Sequence, residues 1–152
     1  MISVLIAAPE DPRPLARLLA ALVPAAADGL VREVAVVGAE GVCRSLADDA
    51  GADLHATLPE ALAAARGPWL ARLPSSAVFV GDWMEVVAAH LARLPERPAR
   101  IVARPGWLTF GLSPEGWLAP LSLIASAAAA QQDVQRLARR GGGRRLRILD
   151  RR

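Results

Sequence analysis

Residues Arg66–Trp83 read RGPWLARLPSSAVFVGDW, and this stretch decides the fold. Gly67-Pro68 stops a preceding helix, because proline neither donates a backbone hydrogen bond nor tolerates helical geometry in the residue before it. Trp69–Leu73 is short and apolar, the pattern of a buried strand. Asp82 then has the character of an N-cap for a helix over Asp82–Leu94. Between strand and helix lies the loop Leu73-Pro74-Ser75-Ser76-Ala77, at a strand's carboxyl end, where open α/β sheets bind their ligands. It contains no carboxylate, histidine or thiol.

Working toward the N-terminus, Ser3–Ala8 is a continuous apolar run ending at Pro9, which suits a strand buried on both faces. Leu15, Leu18, Leu19 and Leu22 fall at helical spacing over Pro14–Val23, and Pro24 and Gly29 are expected to end that helix. Glu33–Val37 is a second strand, followed by the loop Gly38-Ala39-Glu40-Gly41 and a helix over Val42–Ala50 that Gly51 stops. Asp53–Ala56 is a third, weaker strand. Thr57-Leu58-Pro59-Glu60 has the spacing of a capping box at the start of a helix that runs to Arg66.

Toward the C-terminus, Arg100–Ala103 and Trp107–Phe110 read as short extended segments. Ser113-Pro114 opens a long helix expected to reach Arg140, with Trp117, Leu121, Ile124 and Ala128 on one stripe. Gly141–Gly143 ends it, and Arg145–Leu149 alternates basic and apolar residues as an edge strand does. Strands alternating with helices predict a three-layer α/β/α domain around a mostly parallel sheet.

At 152 residues the chain is expected to be a single domain with one substantial core. All 18 basic residues are arginine, which reads as the coding bias of a GC-rich bacterial genome. With a net charge of only +3, the high pI is weak grounds for a nucleic-acid partner, and only Arg136–Arg152 concentrates positive charge. Cys43 is the sole cysteine, so no intramolecular disulfide can form, which fits a reducing cytoplasm. The N-terminus lacks a basic n-region and reads as a first strand rather than a signal peptide. The longest uncharged apolar run, Trp117–Ala130, is too short for a transmembrane helix. Peripheral membrane contact stays open.

The strings SVLIAAPEDPRPLARLLAALVPAA, GLVREVAVVGAEG, ADDAGADL and AAARGPWLARLPSSAVFVGDWMEVVAAHLAR, taken in order, resemble family 2 glycosyltransferases of the GT-A fold. The similarity covers Ile2 to about Arg93 and more loosely Gln132–Asp150. It implies a nucleotide-sugar-binding half over residues 1–94. Residues 95–152 are then a shortened remainder, with the long helix and a basic tail. An enzyme of this kind transfers a hexose from a nucleotide diphosphate sugar by direct displacement.

The resemblance also assigns sites, and there this chain departs from the family. Glu10 and Asp11 match the polar pair that helps hold the nucleotide. Gly38 stands where the family has a nucleoside-binding Asp, with Glu40 two residues on as a substitute carboxylate. The metal-binding DxD-type motif falls on Pro74, Ser75 and Ser76, whose neutral hydroxyls cannot replace carboxylates on a divalent ion. No cofactor is therefore expected, although Ser75 and Ser76 can donate hydrogen bonds to a phosphate. The interval that carries the family's catalytic base is compressed, and Asp133 is its only candidate.

Three readings follow from the sequence. The chain is a nucleotide-sugar-binding scaffold with impaired transfer, a non-catalytic subunit acting through a homodimer or protein partner, or a nucleic-acid or membrane-surface binder through Arg136–Arg152. The second reading expects apolar surface around Trp107–Ile124, exposed by the missing acceptor region. Cys43 has no histidine close in sequence to activate it as a nucleophile, and His55 and His90 lie far apart on different elements, which argues against a metal pair.

Overall fold

The computed structural model describes residues 1–103, 116–129 and 144–150. Its elements are β1 (Ile2–Ala7), α1 (Pro12–Ala27), β2 (Val31–Val37), α2 (Gly41–Asp49), β3 (Asp53–His55) and α3 (Leu58–Ala64). They continue with β4 (Trp69–Leu73), α4 (Trp83–Arg93), β5 (Ala99–Ala103), β6 (Gly116–Pro120), α5 (Leu121–Ala129) and β7 (Arg144–Leu149). The seven strands form one sheet in the order β3-β2-β1-β4-β6-β5-β7. Strands β1 to β4 are mutually parallel, β6 runs antiparallel to both β4 and β5, and β7 is parallel to β5.

Both faces are covered, which makes three layers. Val4, Ile6 and Ala71 pack with Leu15, Leu18 and Leu22 of α1, Cys43 and Ala47 of α2, and Val87 of α4. Leu5, Leu70 and Trp117 point to the other face and pack with Ala61 of α3 and Ile124 of α5. Because side chains alternate along a strand, burial on both sides produces the uninterrupted apolar run of β1.

Local signals placed most elements within a residue or two. Trp69–Leu73 is the fourth strand, and the capping box is complete, with the Thr57 hydroxyl accepting from the Glu60 N–H and the Glu60 carboxylate accepting from the Thr57 N–H. Pro24 lies inside α1 instead of ending it, and the helix continues to Ala27 under its buried leucine stripe.

The expected helix over Ser113–Arg140 is corrected. Gly116–Pro120 is a strand, and the helix starts only at Leu121. Trp117 and Leu118 consequently face opposite sides of the sheet. Pairing with β4 explains the strand: a Cβ on Gly116 would lie 2.4 Å from the Arg72 carbonyl oxygen, so the close approach requires glycine. Trp117, Leu118, Ala119 and Ile124 are all buried, so this part of the expected apolar surface is internal core. Trp107–Phe110 and Gly141–Gly143 lie outside the described residues.

The flanks of the opening stretch are structural. The Gly67 N–H donates to the Ser3 hydroxyl at 2.8 Å, and that hydroxyl donates to the Glu33 carboxylate. The Arg66 N–H donates to Glu33 at 2.6 Å, while the Arg66 guanidinium pairs with Glu33 and, at 3.0 Å, with Asp53. One arginine therefore ties the entry of β4 to β2 and β3. Trp69 is buried edge-to-face against His90, with ring centroids 5.8 Å apart, and Trp83 stacks on Phe79 at 3.9 Å. Trp69, His90 and Trp83 are buried, and Phe79 packs against the core.

Candidate functional site

The strand order reverses between β1 and β4: successive β/α units run outward from β1 through β2 to β3, then return to β4 on its other side. Loops leaving β1 and β4 lie side by side at the carboxyl edge, where open α/β sheets form their ligand crevice. The sequence placed its nucleotide-binding candidates in the loops after β1, β2 and β4, and these lie at this edge.

A cleft of about 390 Å³ opens beside the crevice, lined chiefly by Gly38, Glu40, Arg44, Leu54 and His55. Its floor is held by the Gly38 N–H, which donates to the His55 carbonyl at 2.9 Å and joins the ends of β2 and β3. Gly38 has a φ of +70°, a turn conformation that a side chain disfavours. Glu40 occupies the N-cap position of α2 but makes no side-chain bond to the helix end. Its exposed carboxylate thus faces the cleft with acceptor capacity. Arg44 and His55 bring donors, and Leu54 and Ala39 an apolar wall.

Sequence reasoning missed Arg44 and His55 as partners of Gly38 and Glu40. The available signal was positional: His55 closes β3 and Arg44 lies in the first turn of α2, so both belong to the carboxyl edge. Cys43, in the same turn, points away from solvent and its thiol donates to the Pro9 carbonyl at 3.3 Å. It pins α2 to the loop after β1, a packing role.

Glu10, Asp11, Ser75 and Ser76 are on neighbouring loops and do not line the cleft. Asp11 is engaged as N-cap of α1, accepting from the Arg13 N–H at 3.0 Å. Glu10 is exposed. Ser75 and Ser76 sit in a tight turn closed by the Ala77 N–H and the Pro74 carbonyl at 2.9 Å. Asp133 lies outside the described residues. Among the described residues, no three His, Cys, Asp or Glu side chains gather as a metal site. The donor set after β4, a proline and two neutral hydroxyls, does not fit a divalent cation.

No family model matches this chain, and no curated protein matches it in sequence. Solved structures do match: the chain has the GT-A fold of glycosyltransferases. Mannosyl-3-phosphoglycerate synthase from Rubrobacter xylanophilus superposes with a TM-score of 0.74 at 13% identity, over 100% of this chain and 66% of that one. Glucosyl-3-phosphoglycerate synthase from Mycobacterium tuberculosis, solved with Mn2+, uridine diphosphate and phosphoglyceric acid, gives 0.69 at 18% identity, over 100% and 70%. This chain therefore spans about two-thirds of the length of those proteins. Among the described residues, no helix is long and apolar enough to cross a membrane.

Proposed function

We propose that this chain is a glycosyltransferase-like domain that binds a nucleotide or nucleotide sugar without a divalent metal, and that hexosyl transfer is impaired or lost. The observation that carries the reading is the cleft beside the switch point, where Glu40, Arg44 and His55 converge on one GT-A edge. In this reading the Glu40 carboxylate accepts from hydroxyls or base N–H groups of a nucleoside, in place of the aspartate that Gly38 replaces. Arg44 and His55 donate to it, and Leu54 contacts the base or sugar face. Glu10, Asp11, Ser75 and Ser76 rim the diphosphate end, and the two hydroxyls donate to phosphate oxygens. The glucosyl-3-phosphoglycerate synthase was solved with Mn2+ and uridine diphosphate; Pro74, Ser75 and Ser76 of this chain supply no carboxylate for such an ion, which favours metal-independent binding.

Isothermal titration with UDP, GDP and their hexose conjugates, with and without manganese, tests the proposal. The expected result is binding to at least one of them, insensitive to manganese and weakened by Glu40→Gln. Absence of both heat and thermal shift with every nucleotide would sink it.

A second reading, a non-catalytic subunit acting through a homodimer or protein partner, draws on an open groove lined by Met1, Leu30, Met84, Ala88 and Leu91. A strictly monomeric species in light scattering, with no partner in pull-down, counts against it.

A further inference from the structure

Glu40 and Arg44 line the same cleft, four residues apart at the start of α2. Opposite charges at that spacing on a helix commonly pair. Here they do not: among the described residues, no ion pair joins Glu40 to Arg44. Glu40 also makes no side-chain bond to the end of α2, although it holds the cap position. Both oxygens of one carboxylate and the fork of one guanidinium are therefore open to a ligand.

Exposed charges are ordinarily met by water, and these two side chains are exposed. The space around them is what distinguishes them from a solvated helix face. A Cβ built on Gly38 would meet nothing within 4 Å, so the volume that an aspartate would take at this position is vacant. It belongs to the opening of about 390 Å³ that Glu40 and Arg44 line. Ala39, Leu54 and His55 are half-buried in its wall, which gives a flat ring an apolar surface to lie against. Room, an apolar wall, one acceptor pair and one donor pair thus occur together.

Resting on the nucleotide reading of this cleft, we infer that the base it selects is guanine. Guanine carries adjacent donors, N1–H and the N2 amino group, on one edge and adjacent acceptors, O6 and N7, on another. A carboxylate accepts two parallel hydrogen bonds and a guanidinium donates two, so Glu40 takes the first edge and Arg44 the second. Side chains four apart on a helix start about 5–6 Å from one another at Cβ, which is near the spacing of those two edges. Uracil offers the carboxylate only N3–H, and adenine and cytosine only one amino group. None of the three gives Glu40 its second bond, and a site built to bond a group rejects analogues that lack it. The vacancy at Gly38 also favours a two-ring base over a pyrimidine.

The test is titration calorimetry of the full chain, without manganese, against GDP, UDP, ADP and inosine diphosphate, whose base is guanine without its N2 amino group. GDP is expected to bind about tenfold more tightly than the other three. Glu40→Gln is expected to weaken GDP about tenfold and to bring GDP and inosine diphosphate within about twofold of each other, because the bond that separates them ends on the carboxylate. Arg44→Gln is expected to weaken both by the same factor, since both bases carry O6 and N7. Asp49→Asn, which alters an exposed carboxylate at the far end of α2, is expected to change nothing. Equal affinity for GDP and UDP, or for GDP and inosine diphosphate, overturns the inference and leaves the nucleotide reading standing. A GDP preference that survives Glu40→Gln also overturns it, because the base is then read elsewhere. Absence of binding by all four removes the nucleotide reading and the choice of base with it.

Discussion

Gly67→Ala tests the structural reading of the ARGPW segment. A Cβ at Gly67 would lie 2.6 Å from the Ser3 Oγ, 2.8 Å from the Ser3 backbone nitrogen and 3.2 Å from the Ile2 carbonyl carbon. Two of these three atoms are backbone of β1, a central strand paired on both sides, so the clash cannot be relieved by a rotamer change. Overpacking of this kind costs about 1–3 kcal/mol. Displacing Gly67 from Ser3 also weakens a buried hydrogen bond worth about 1 kcal/mol. Against this, replacing glycine by alanine reduces unfolded-chain entropy and returns about 0.4–1 kcal/mol. The net expectation is destabilisation by about 1–3.5 kcal/mol. For a chain of this size that lowers Tm by roughly 2–14 °C. Urea unfolding followed by tryptophan fluorescence measures it, with the midpoint falling and the slope unchanged. The double variant Ser3→Ala with Gly67→Ala is expected not to recover, because the backbone nitrogen remains in the way. A Gly67→Ala protein within 0.5 kcal/mol of the parent, or full recovery in the double variant, would refute the argument.

The Glu33 carboxylate provides a pH test. Burial pushes its carboxyl up, but the Arg66 N–H, the Ser3 hydroxyl and the Arg66 guanidinium outweigh burial and hold it below its ordinary value of 4.5. A depressed folded-state value means that the contribution is present above about pH 4.5 and is lost as pH falls through the folded value. Glu33→Gln is expected to lose about 2 kcal/mol at neutral pH and to flatten the acid limb of a stability-versus-pH curve; an unchanged limb would contradict the assignment. Thr57→Ala removes one half of the α3 capping box and is expected to cost about 1 kcal/mol in urea unfolding, with nucleotide titration unaffected. Pro74→Asp with Ser76→Asp installs carboxylates in the β4 loop, and manganese is expected to strengthen nucleotide binding in this variant alone. Equal manganese dependence in the parent would show that its metal ligands lie elsewhere.

Much of the fold was legible because its signals are local. The buried runs Ser3–Ala8 and Trp69–Leu73, the leucine stripe of α1 and the Thr57–Glu60 box each depend on residues within a few positions of one another. The segment Gly116–Pro120 was not legible. An apolar run free of polar residues has no period to distinguish strand from helix, and the pairing with β4 that decides it joins residues more than 40 positions apart. The site divided the same way. Gly38 and Glu40 were found from their place after β2, whereas Arg44 and His55 joined them only when β3 paired beside β2.

What the sequence determined by itself was the alternation of strand and helix, the loop edge on which ligands would bind, and the absence of carboxylates from Pro74-Ser75-Ser76. These follow from chemistry carried within each short stretch. Tertiary structure alone decided the insertion of β6 between β4 and β5 and the scaffold role of Arg66 and Gly67. Strand partners are chosen by burial and hydrogen bonding summed over the whole sheet, so no single stretch encodes which side chains will stand across from one another.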